Sequence, residues 1–281
     1  MSDMAEIVED HHGGLVTTEM DAPYYAPSGD EVEVFEAAWR GQLSIMLKGP
    51  TGCGKTRLVE HMAHRLGVPV FTVSCHEDIT TADLVGRYIL TGGDTVWVDG
   101  PLTRAVSEGG ICYLDEIVEA RQDSIVAIHP LTDYRRRLTL ERRGNMAIDA
   151  ADGFGVVVSY NPGYQSILKD LKVSTRQRMV AIELNYPPAD IEREIILHES
   201  GVDPDVADDL ISLGQGIRRV EDSGLREVAS TRTLIAAAVL VTRGLSARQA
   251  VISAIVGPLT DDPTMRAGLL TLVEPYLSDA S

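Results

Sequence analysis

Residues 47–56 read LKGPTGCGKT and directly follow the apolar run LSIML at 43–47. The stretch matches the pattern G-x-x-x-x-G-K-[ST] through Gly49, Gly54, Lys55 and Thr56. Glycines let backbone N–H groups converge on phosphate oxygens without side-chain clash, and a helix after the loop adds the positive end of its dipole. We therefore predict a phosphate-binding loop, with Lys55 on the terminal phosphates and Thr56 on Mg²⁺. The remaining loop residues are Pro50, Thr51, Gly52 and Cys53.

Two acidic residues, Asp115 and Glu116, end the apolar run GGICYLDE at 109–116. The first acid at such a strand end can hold Mg²⁺ through water, and the second can orient or deprotonate the attacking water. The alternative is an ordinary surface acidic pair. Because the pair ends a buried run in a chain that already has a phosphate loop, we favour the catalytic interpretation.

A polar residue, Asn161, stands at the end of another apolar run, FGVVVSYNPG at 154–163. An uncharged amide at this place could hydrogen-bond the γ-phosphate or the attacking water. Asn before Pro is also a routine turn former, and that interpretation stays open for this residue taken alone. Together with the two preceding motifs, the pattern favours a sensor of the γ-phosphate.

The remaining pattern predicts an α/β fold with two domains. Continuous apolar strands alternating with helices are typical of a parallel sheet covered on both faces. After Pro188 the periodicity becomes helical. We predict a mobile acidic leader at 1–25, an α/β nucleotide-binding domain at 26–188 and a small all-helical domain at 189–281. Strands are expected at 43–49, 68–75, 109–116, 154–163 and 179–188, and helices of the first domain at 29–41, 55–67 and 124–133.

Composition excludes several classes of protein. The 281 residues are 44% hydrophobic and 24% charged, which is normal for a water-soluble globular chain. No window approaches the ~18 apolar residues of a membrane helix, and the acidic N-terminus does not resemble a signal peptide. Three cysteines without metal-ligand spacing fit a cytoplasmic location.

The net charge of −17 disfavours binding to nucleic acid. The basic stretch DYRRRLTLERRG at 133–144 fits a solvated hairpin or a subunit contact better than a nucleic-acid site.

The three motifs, in this order and with a helical domain behind them, resemble AAA+ ATPases. The similarity is greatest to the MoxR branch and, within it, to the CbbQ/NorQ group, and it covers nearly the whole chain. The stretches MLKGPTGCGKTRLVEHMAHRLG, SCHEDITTADLVGRYIL, GGICYLDEIVEARQDSIVAIHPLTDYRRRL and VVVSYNPGYQSILKDLKVSTRQRM carry it, together with ASTRTLI. This resemblance implies a P-loop AAA+ core and ATP with Mg²⁺ as cofactors.

The resemblance also implies roles for three arginines that the residues alone would not single out. In STRQRM, Arg178 stands where related ATPases place the arginine finger, which reaches the γ-phosphate of a neighbouring subunit. Arg176, two residues away, could serve instead. In STRTLI, Arg232 matches the second sensor of the helical domain. The alternative for each is a surface salt bridge, worth ~0–1 kcal/mol.

Two further segments, 83–105 and 138–153, resemble insertions of the MoxR branch that face the pore of the ring or its target. Tyr88, Leu90 and Trp97 are candidate contacts, and core packing is an equal alternative for Trp97. The group implies a homo-oligomer, most often a hexamer, that acts with a partner carrying a von Willebrand factor A domain.

The resemblance is greatest to the CbbQ type, which implies an ATPase motor that reactivates inhibited Rubisco. The alternatives are a NorQ-type ATPase that serves nitric oxide reductase and a nucleotide-gated scaffold that hydrolyses slowly. A nucleic-acid remodeller has the same architecture, but the acidic balance of the chain counts against it.

Overall fold

A computed structural model describes residues 22–162, 171–219 and 228–276. Most of the predicted leader therefore lies outside the described residues. The chain divides into two compact units. The first contains residues up to Tyr25, Gly29–Gly49 and Lys55–Glu183, and the second contains Ala26–Ser28, Pro50–Gly54 and Leu184–Ser281. The domain boundaries predicted from the sequence, at residues 25/26 and 188/189, remain a prediction.

The first unit is built on a five-stranded parallel sheet. The strands of the unit are β1 (Ser44–Lys48), β2 (Val70–Ser74), β3 (Gly86–Thr91), β4 (Asp94–Asp99), β5 (Gly110–Asp115), β6 (Arg137–Leu140), β7 (Met146–Asp149), β8 (Phe154–Tyr160) and β9 (Met179–Glu183). The sheet has the order β2-β5-β8-β1-β9, and each neighbouring pair is parallel. All five predicted strands are confirmed.

Burial along the strands follows their place in the sheet. The central strands β5 and β8 are buried almost throughout, whereas the edge strands β2 and β9 alternate or are only partly buried. Strands covered on both faces need continuous apolar sequence, and this explains why the central strands are the easiest to predict from the sequence. The parallel α/β core is thereby established.

Helices of the first unit connect these strands. They are α1 (Glu31–Arg40), α2 (Lys55–Leu66), α3 (Thr81–Val85), α4 (Pro101–Glu108), α5 (Gln122–Val126) and α6 (Val173–Arg176). The helices predicted at 29–41 and 55–67 are confirmed. The helix predicted at 124–133 is only partly right, because α5 ends at Val126 and a separate 3-10 turn covers His129–Leu131. Pro130 offers no N–H group to continue an α-helix.

Two antiparallel hairpins, β3–β4 and β6–β7, occupy the segments predicted to be insertions. Trp97 on β4 is half-buried against the core, and the ring of Tyr88 meets it edge to face at 5.1 Å between centroids. The guanidinium of Arg143, beyond β6, lies 5.9 Å from the Trp97 ring and 3.7 Å from Asp99. Leu90 is 77% exposed. Trp97 is thus part of the packing, while Leu90 is presented to solvent.

The basic stretch at 133–144 is largely paired within the chain. Arg135 binds Asp133 at 2.6 Å, and Arg137 binds Asp149 at 2.5 Å across the second hairpin. Arg136 donates to the backbone carbonyl of Phe154 at 2.8 Å. These contacts fit the predicted alternatives of a solvated hairpin or a subunit contact.

The second unit is helical over its described residues. Its helices are α7 (Ala189–Ser200), α8 (Pro204–Arg219), α9 (Thr231–Thr242), α10 (Ala247–Val251), α11 (Gly257–Leu259) and α12 (Pro263–Val273), with a π-helical turn at Ile252–Val256. Aliphatic side chains from α7, α8, α9 and α10 form its core, including Ile196, Leu210, Ile217, Leu234 and Val251. Within the described part of the chain, every helix is too short or too polar to cross a membrane.

Candidate active site

The order of strands brings the predicted motifs to one edge of the sheet. β8 lies between β5 and β1, with Leu114 opposite Val158 and Lys48 opposite Tyr160. Parallel strands end at the same edge, so the residues that follow these three strands are neighbours. Gly49 after β1, the acidic pair at the end of β5 and Asn161 after β8 therefore lie at the carboxyl edge of the sheet.

Lys55, the first residue of α2, points back to this edge. Its side chain is buried, and its Nζ donates to the carbonyl of Gly49 at 2.8 Å and to Oδ1 of Asn161 at 2.6 Å. The lysine of the first motif and the amide of the third are thus in direct contact, although 106 residues separate them. The buried ammonium is thus fixed by a carbonyl and an amide oxygen at the edge where the sequence predicts phosphate binding.

The loop itself adopts backbone conformations that favour glycine. Gly52 has φ 73° and Gly54 has φ 101°, in a region that side chains rarely enter. A Cβ atom at Gly52 would also lie 2.6 Å from Oγ of Ser230. Cys53 in this loop is buried and forms no disulfide with Cys75 or Cys112. Successive backbone N–H groups in such a turn form an anion-binding concavity.

A cluster of hydroxyl groups surrounds Asp115. Oδ1 of Asp115 accepts hydrogen bonds from Tyr113 at 2.7 Å and from Ser159. The hydroxyl oxygens of Thr56 and Tyr113 are 3.3 Å apart. Thr56 of the first motif and Asp115 of the second are therefore joined through Tyr113.

Glu116 follows in the left-handed conformation, with φ 54° and ψ 45°. Its N–H donates to Oγ of Ser159 at 3.0 Å, while the residue is exposed. Non-glycine residues in this region are uncommon and cluster at functional sites. Glu116 thus follows the last residue of the strand in a turn and is exposed to water, and its role as a general base remains a prediction.

Cys75 lies at the end of β2, near the two acids. Burial, with the charges of Asp115 and Glu116 as smaller causes, raises the pKa of the Cys75 thiol to about 12. The thiol is therefore protonated at neutral pH and adds no negative charge to the edge.

Arg176 and Arg178 lie at the end of α6 and just beyond it, and both are half-buried. A guanidinium nitrogen of Arg178 donates to the carbonyl of Ser174. Nε2 of His129 is 2.9 Å from Oγ1 of Thr175, and partial burial with the charge of Arg178 lowers the pKa of His129. The assignment of a finger to either arginine remains a prediction.

In the helical unit, the start of α9 packs against the loop segment Pro50–Gly54. Ser230 caps α9 by accepting from the N–H of Thr233, and Cβ of Arg232 is 3.2 Å from the position of a Cβ at Gly52. Arg232 is exposed. This places the predicted second sensor beside the loop, within one unit.

A buried ion pair supports this corner of the helical unit. Glu192 is fully buried and binds Arg218 through two bonds, at 2.7 Å and 2.9 Å, while Thr231 donates to the same carboxylate at 2.6 Å. The Arg218 guanidinium lies 4.1 Å from the ring centroid of Tyr186, whose hydroxyl donates to the carbonyl of Thr51 at 3.1 Å. The chain of contacts runs from the helical core to the loop.

The donor set fits a magnesium nucleotide. A threonine hydroxyl and a carboxylate are hard oxygen ligands of the kind that Mg²⁺ takes, usually with several waters kept. A buried lysine and a glycine-rich turn suit the phosphates that would share the cation.

Sequence reasoning missed two groups of residues around these motifs. Tyr113 and Ser159 lie within apolar strands, and the only signal was a polar atom in each run. Glu192 and Arg218 are 26 residues apart on different helices, so no local pattern connects them. Their roles appear only when the strands and helices are placed side by side.

Comparison with known proteins agrees with this geometry. Residues 44–179 match the model of the AAA domain, dynein-related subfamily, and residues 192–276 match the CbbQ/NirQ/NorQ C-terminal domain. The Protein NorQ of Paracoccus denitrificans is 56% identical over 90% of this chain and 93% of its own length. The Denitrification regulatory protein NirQ of Stutzerimonas stutzeri is 53% identical over 90% and 92% of the two chains, and the Protein CbbQ of Hydrogenophilus thermoluteolus is 52% identical over 88% and 92%.

The fold and the motif-bearing edge define a nucleotide-binding ATPase of the AAA+ class. The chain belongs to the CbbQ/NirQ/NorQ family of these ATPases, within the MoxR branch. The predicted group is thereby confirmed.

Proposed function

We propose that this chain is the motor subunit of a remodelling complex that binds ATP with Mg²⁺ at the carboxyl edge of the sheet. The observation that carries the proposal is the contact of Lys55 with Asn161 beside the Thr56–Tyr113–Asp115 cluster. A lysine, a hydroxyl, a carboxylate and an amide, taken from three motifs, meet within hydrogen-bond distances. Phosphoryl transfer depends on such positioning and on stabilisation of charge.

Each residue then has a defined task. Lys55 and the backbone N–H groups of Thr51, Gly52, Cys53 and Gly54 hold phosphate oxygens. Gly49 and Pro50 shape the start of the loop, since Pro50 has no N–H and that of Gly49 donates to the carbonyl of Tyr160. Thr56 and Asp115 hold Mg²⁺, which when bound neutralises charge on the phosphates. The exposed carboxylate of Glu116 accepts a proton from water, and Asn161 orients that water or the γ-phosphate.

The two remaining tasks belong to arginines outside this cluster. Arg178, or Arg176, supplies a cation to the nucleotide of a neighbouring subunit, which requires a homo-oligomer and suits a hexamer. A finger of this kind is worth about 10³–10⁵ in rate in related phosphoryl-transfer enzymes. Arg232 reports the state of the nucleotide to the helical unit, and its place beside Gly52 supports this task.

The target is an enzyme complex reached through a partner with a von Willebrand factor A domain. Reactivation of inhibited Rubisco is the function that the CbbQ-type resemblance supports. Service to nitric oxide reductase is the second candidate, because relatives named NorQ and NirQ are as similar to this chain as the one named CbbQ. All three cysteines are buried and form no disulfide with one another, and this supports a cytoplasmic location. The pairing of Arg135 and Arg137 counts against a nucleic-acid target.

One experiment tests the motor and selects the target. The Glu116→Gln variant should retain ATP, stop hydrolysis and hold the complex on its target. We expect the variant, with its partner and ATP, to retain inhibited Rubisco on a column, while wild type releases it as ATP is consumed. The matched control is Glu108→Gln, which removes an exposed carboxylate paired with Arg104. Equal hydrolysis by wild type and Glu116→Gln would reduce the chain to a nucleotide-gated scaffold, and retention of nitric oxide reductase instead would select the second candidate.

A further inference from the structure

Tyr113 is a polar residue inside an otherwise apolar strand. It is fully buried on β5, and its side chain lies on the same face as Asp115, because residues two apart on a strand share a face. Its hydroxyl is 2.7 Å from Oδ1 of Asp115 and 3.3 Å from Oγ1 of Thr56. One tyrosine thus touches both predicted cation ligands.

The number of protons determines the direction of these bonds. An ionised carboxylate only accepts, so Tyr113 must give its single proton to Asp115. Thr56 then has to be the donor in its contact with Tyr113. The Thr56 proton points towards the tyrosine, and the lone pairs of Oγ1 are left for a cation.

A second hydroxyl, that of Ser159, also donates to the carboxylate of Asp115. Ser159 donates its proton to Oδ1 and accepts the N–H of Glu116 at 3.0 Å. Both hydroxyl donors use Oδ1, and among the residues that the structure describes no donor reaches Oδ2. The carboxylate is held on one oxygen and keeps the other for a cation or its water.

We infer that Tyr113 is a positioning residue for the cation site, since it orients the lone pairs of Thr56 and the carboxylate of Asp115 at once. The inference rests on the proposed binding of ATP with Mg²⁺. Tyr113 itself does not bind the cation. It sets the affinity for the cation by fixing two ligands before the cation arrives, so that less ordering is needed on binding.

A purely structural role makes a different prediction. If Tyr113 only fills the core, removing its hydroxyl would change stability and would lower activity at every Mg²⁺ concentration. If it positions the ligands, the defect depends on the metal and disappears when Mg²⁺ is in excess, because Lys55 and Glu116 are untouched.

The test uses Tyr113→Phe in the full chain and a fluorescent ATP analogue. Affinity is measured in EDTA and across a Mg²⁺ titration, and hydrolysis is measured over the same titration. We expect the metal-free affinity to stay within about twofold, the half-saturating Mg²⁺ concentration to rise about tenfold, and the rate at saturating Mg²⁺ to approach that of wild type. Tenfold corresponds to about 1.4 kcal/mol. Tyr113→Leu is measured in the same way, and either folded variant decides the outcome.

Tyr25→Phe is the matched control, since it also removes a tyrosine hydroxyl bonded to a buried carboxylate, that of Glu31, at 2.9 Å. Its Mg²⁺ dependence should equal that of wild type. An unchanged Mg²⁺ requirement in Tyr113→Phe, or a defect that excess Mg²⁺ does not repair, overturns the inference. If wild type itself binds the nucleotide without any response to Mg²⁺, the proposed function fails instead, so the two failures are distinguishable.

Discussion

Each unit contains an acidic residue held by hydrogen bonds, half-buried Asp115 in the α/β unit and fully buried Glu192 in the helical unit, and the partners of the two acids differ in kind. In the α/β unit, the carboxylate of Asp115 accepts hydrogen bonds from the hydroxyls of Tyr113 and Ser159. In the helical unit, Glu192 has its own cation in Arg218 as well as the hydroxyl of Thr231. In the helical unit, the charge of Glu192 is balanced by Arg218, and we call Glu192, Arg218 and Thr231 the closed cluster. In the α/β unit, Asp115 and Thr56 present oxygen atoms that could bind a cation, and we call Asp115, Tyr113, Ser159 and Thr56 the open cluster. We therefore expect the closed cluster to serve stability, and we propose that the open cluster serves binding and catalysis.

The largest expected effect comes from breaking the closed cluster. Glu192→Ala leaves Arg218 as a mostly buried cation without its partner, and such a loss costs about 3–5 kcal/mol of unfolding free energy. We expect the urea concentration at the midpoint of unfolding of the helical unit to decrease strongly. Circular dichroism of the full chain measures this midpoint.

The double variant Glu192→Leu/Arg218→Met is the control for this experiment. It replaces both charges by apolar groups, and such replacements are often neutral or stabilising. The double variant should therefore recover most of the stability lost in Glu192→Ala. If it is no more stable than the single variant, the ion pair is not the source of the loss.

The open cluster should respond in the opposite way. Asp115→Asn removes the proposed cation ligand, and we expect ATP hydrolysis to fall by at least about 10², which is about 2.7 kcal/mol of activation free energy. The unfolding free energy should change by less than about 1 kcal/mol, because an amide oxygen can still accept from Tyr113 and Ser159.

Asp208→Asn is the matched change in the helical unit, where Asp208 pairs with Arg193 at 2.6 Å on an exposed surface. It should leave both hydrolysis and stability nearly unchanged. A large loss of stability in Asp115→Asn would remove the distinction between the two clusters.

The sequence predicts the open cluster far better than the closed one, for a physical reason. The phosphate loop, Asp115 and Asn161 each stand at the end of an apolar strand, and parallel strands end at one edge. Once the parallel strands are predicted from the sequence, the residues that lie together at the carboxyl edge of the sheet are predicted as well. The role of Tyr113 was not predicted, because a tyrosine within a buried strand is most simply interpreted as a core residue. Its hydrogen bond to Thr56 also depends on the position of α2, which the sequence does not give.

The closed cluster has no such rule. Which residue of α7 faces which residue of α8 depends on how the two helices pack, and helical periodicity identifies only an apolar face. Glu192 and Arg218 read as two ordinary surface charges in the sequence. The roles of Arg178 and Arg232 were available only from the resemblance, since arginine occurs as readily in surface ion pairs.

Tyr186 connects the closed cluster to the loop, and its removal should have a smaller effect. Tyr186→Phe loses the hydrogen bond to the carbonyl of Thr51 and keeps the ring against Arg218. A single bond of this kind is worth about 0.5–1.5 kcal/mol, so we expect nucleotide affinity to fall by about 2–10-fold with little loss of stability. Equilibrium binding and urea unfolding measure the two quantities.

Tyr186→Ala sharpens this result, because it also removes the contact with Arg218. It should weaken nucleotide binding and destabilise the helical unit together. Equal stability of the Phe and Ala variants would show that the ring does not support the ion pair.

The smallest expected effect concerns pH and lies outside both clusters, at His129. Burial, followed by the charges of Arg178 and Lys172, lowers the pKa of His129 below its ordinary 6.5, while Asp133 acts in the opposite direction. The unfolded chain then binds more protons than the folded chain between the two pKa values, so stability is present above pH 6.5 and declines as pH falls.

His129→Gln can keep a hydrogen bond to Thr175 and removes the titration. Urea midpoints at pH 5 and pH 8 should differ slightly less in this variant than in wild type, since the imidazole is only partly buried and solvent screens it. A pH difference that is unchanged in His129→Gln would assign the acid sensitivity to other groups.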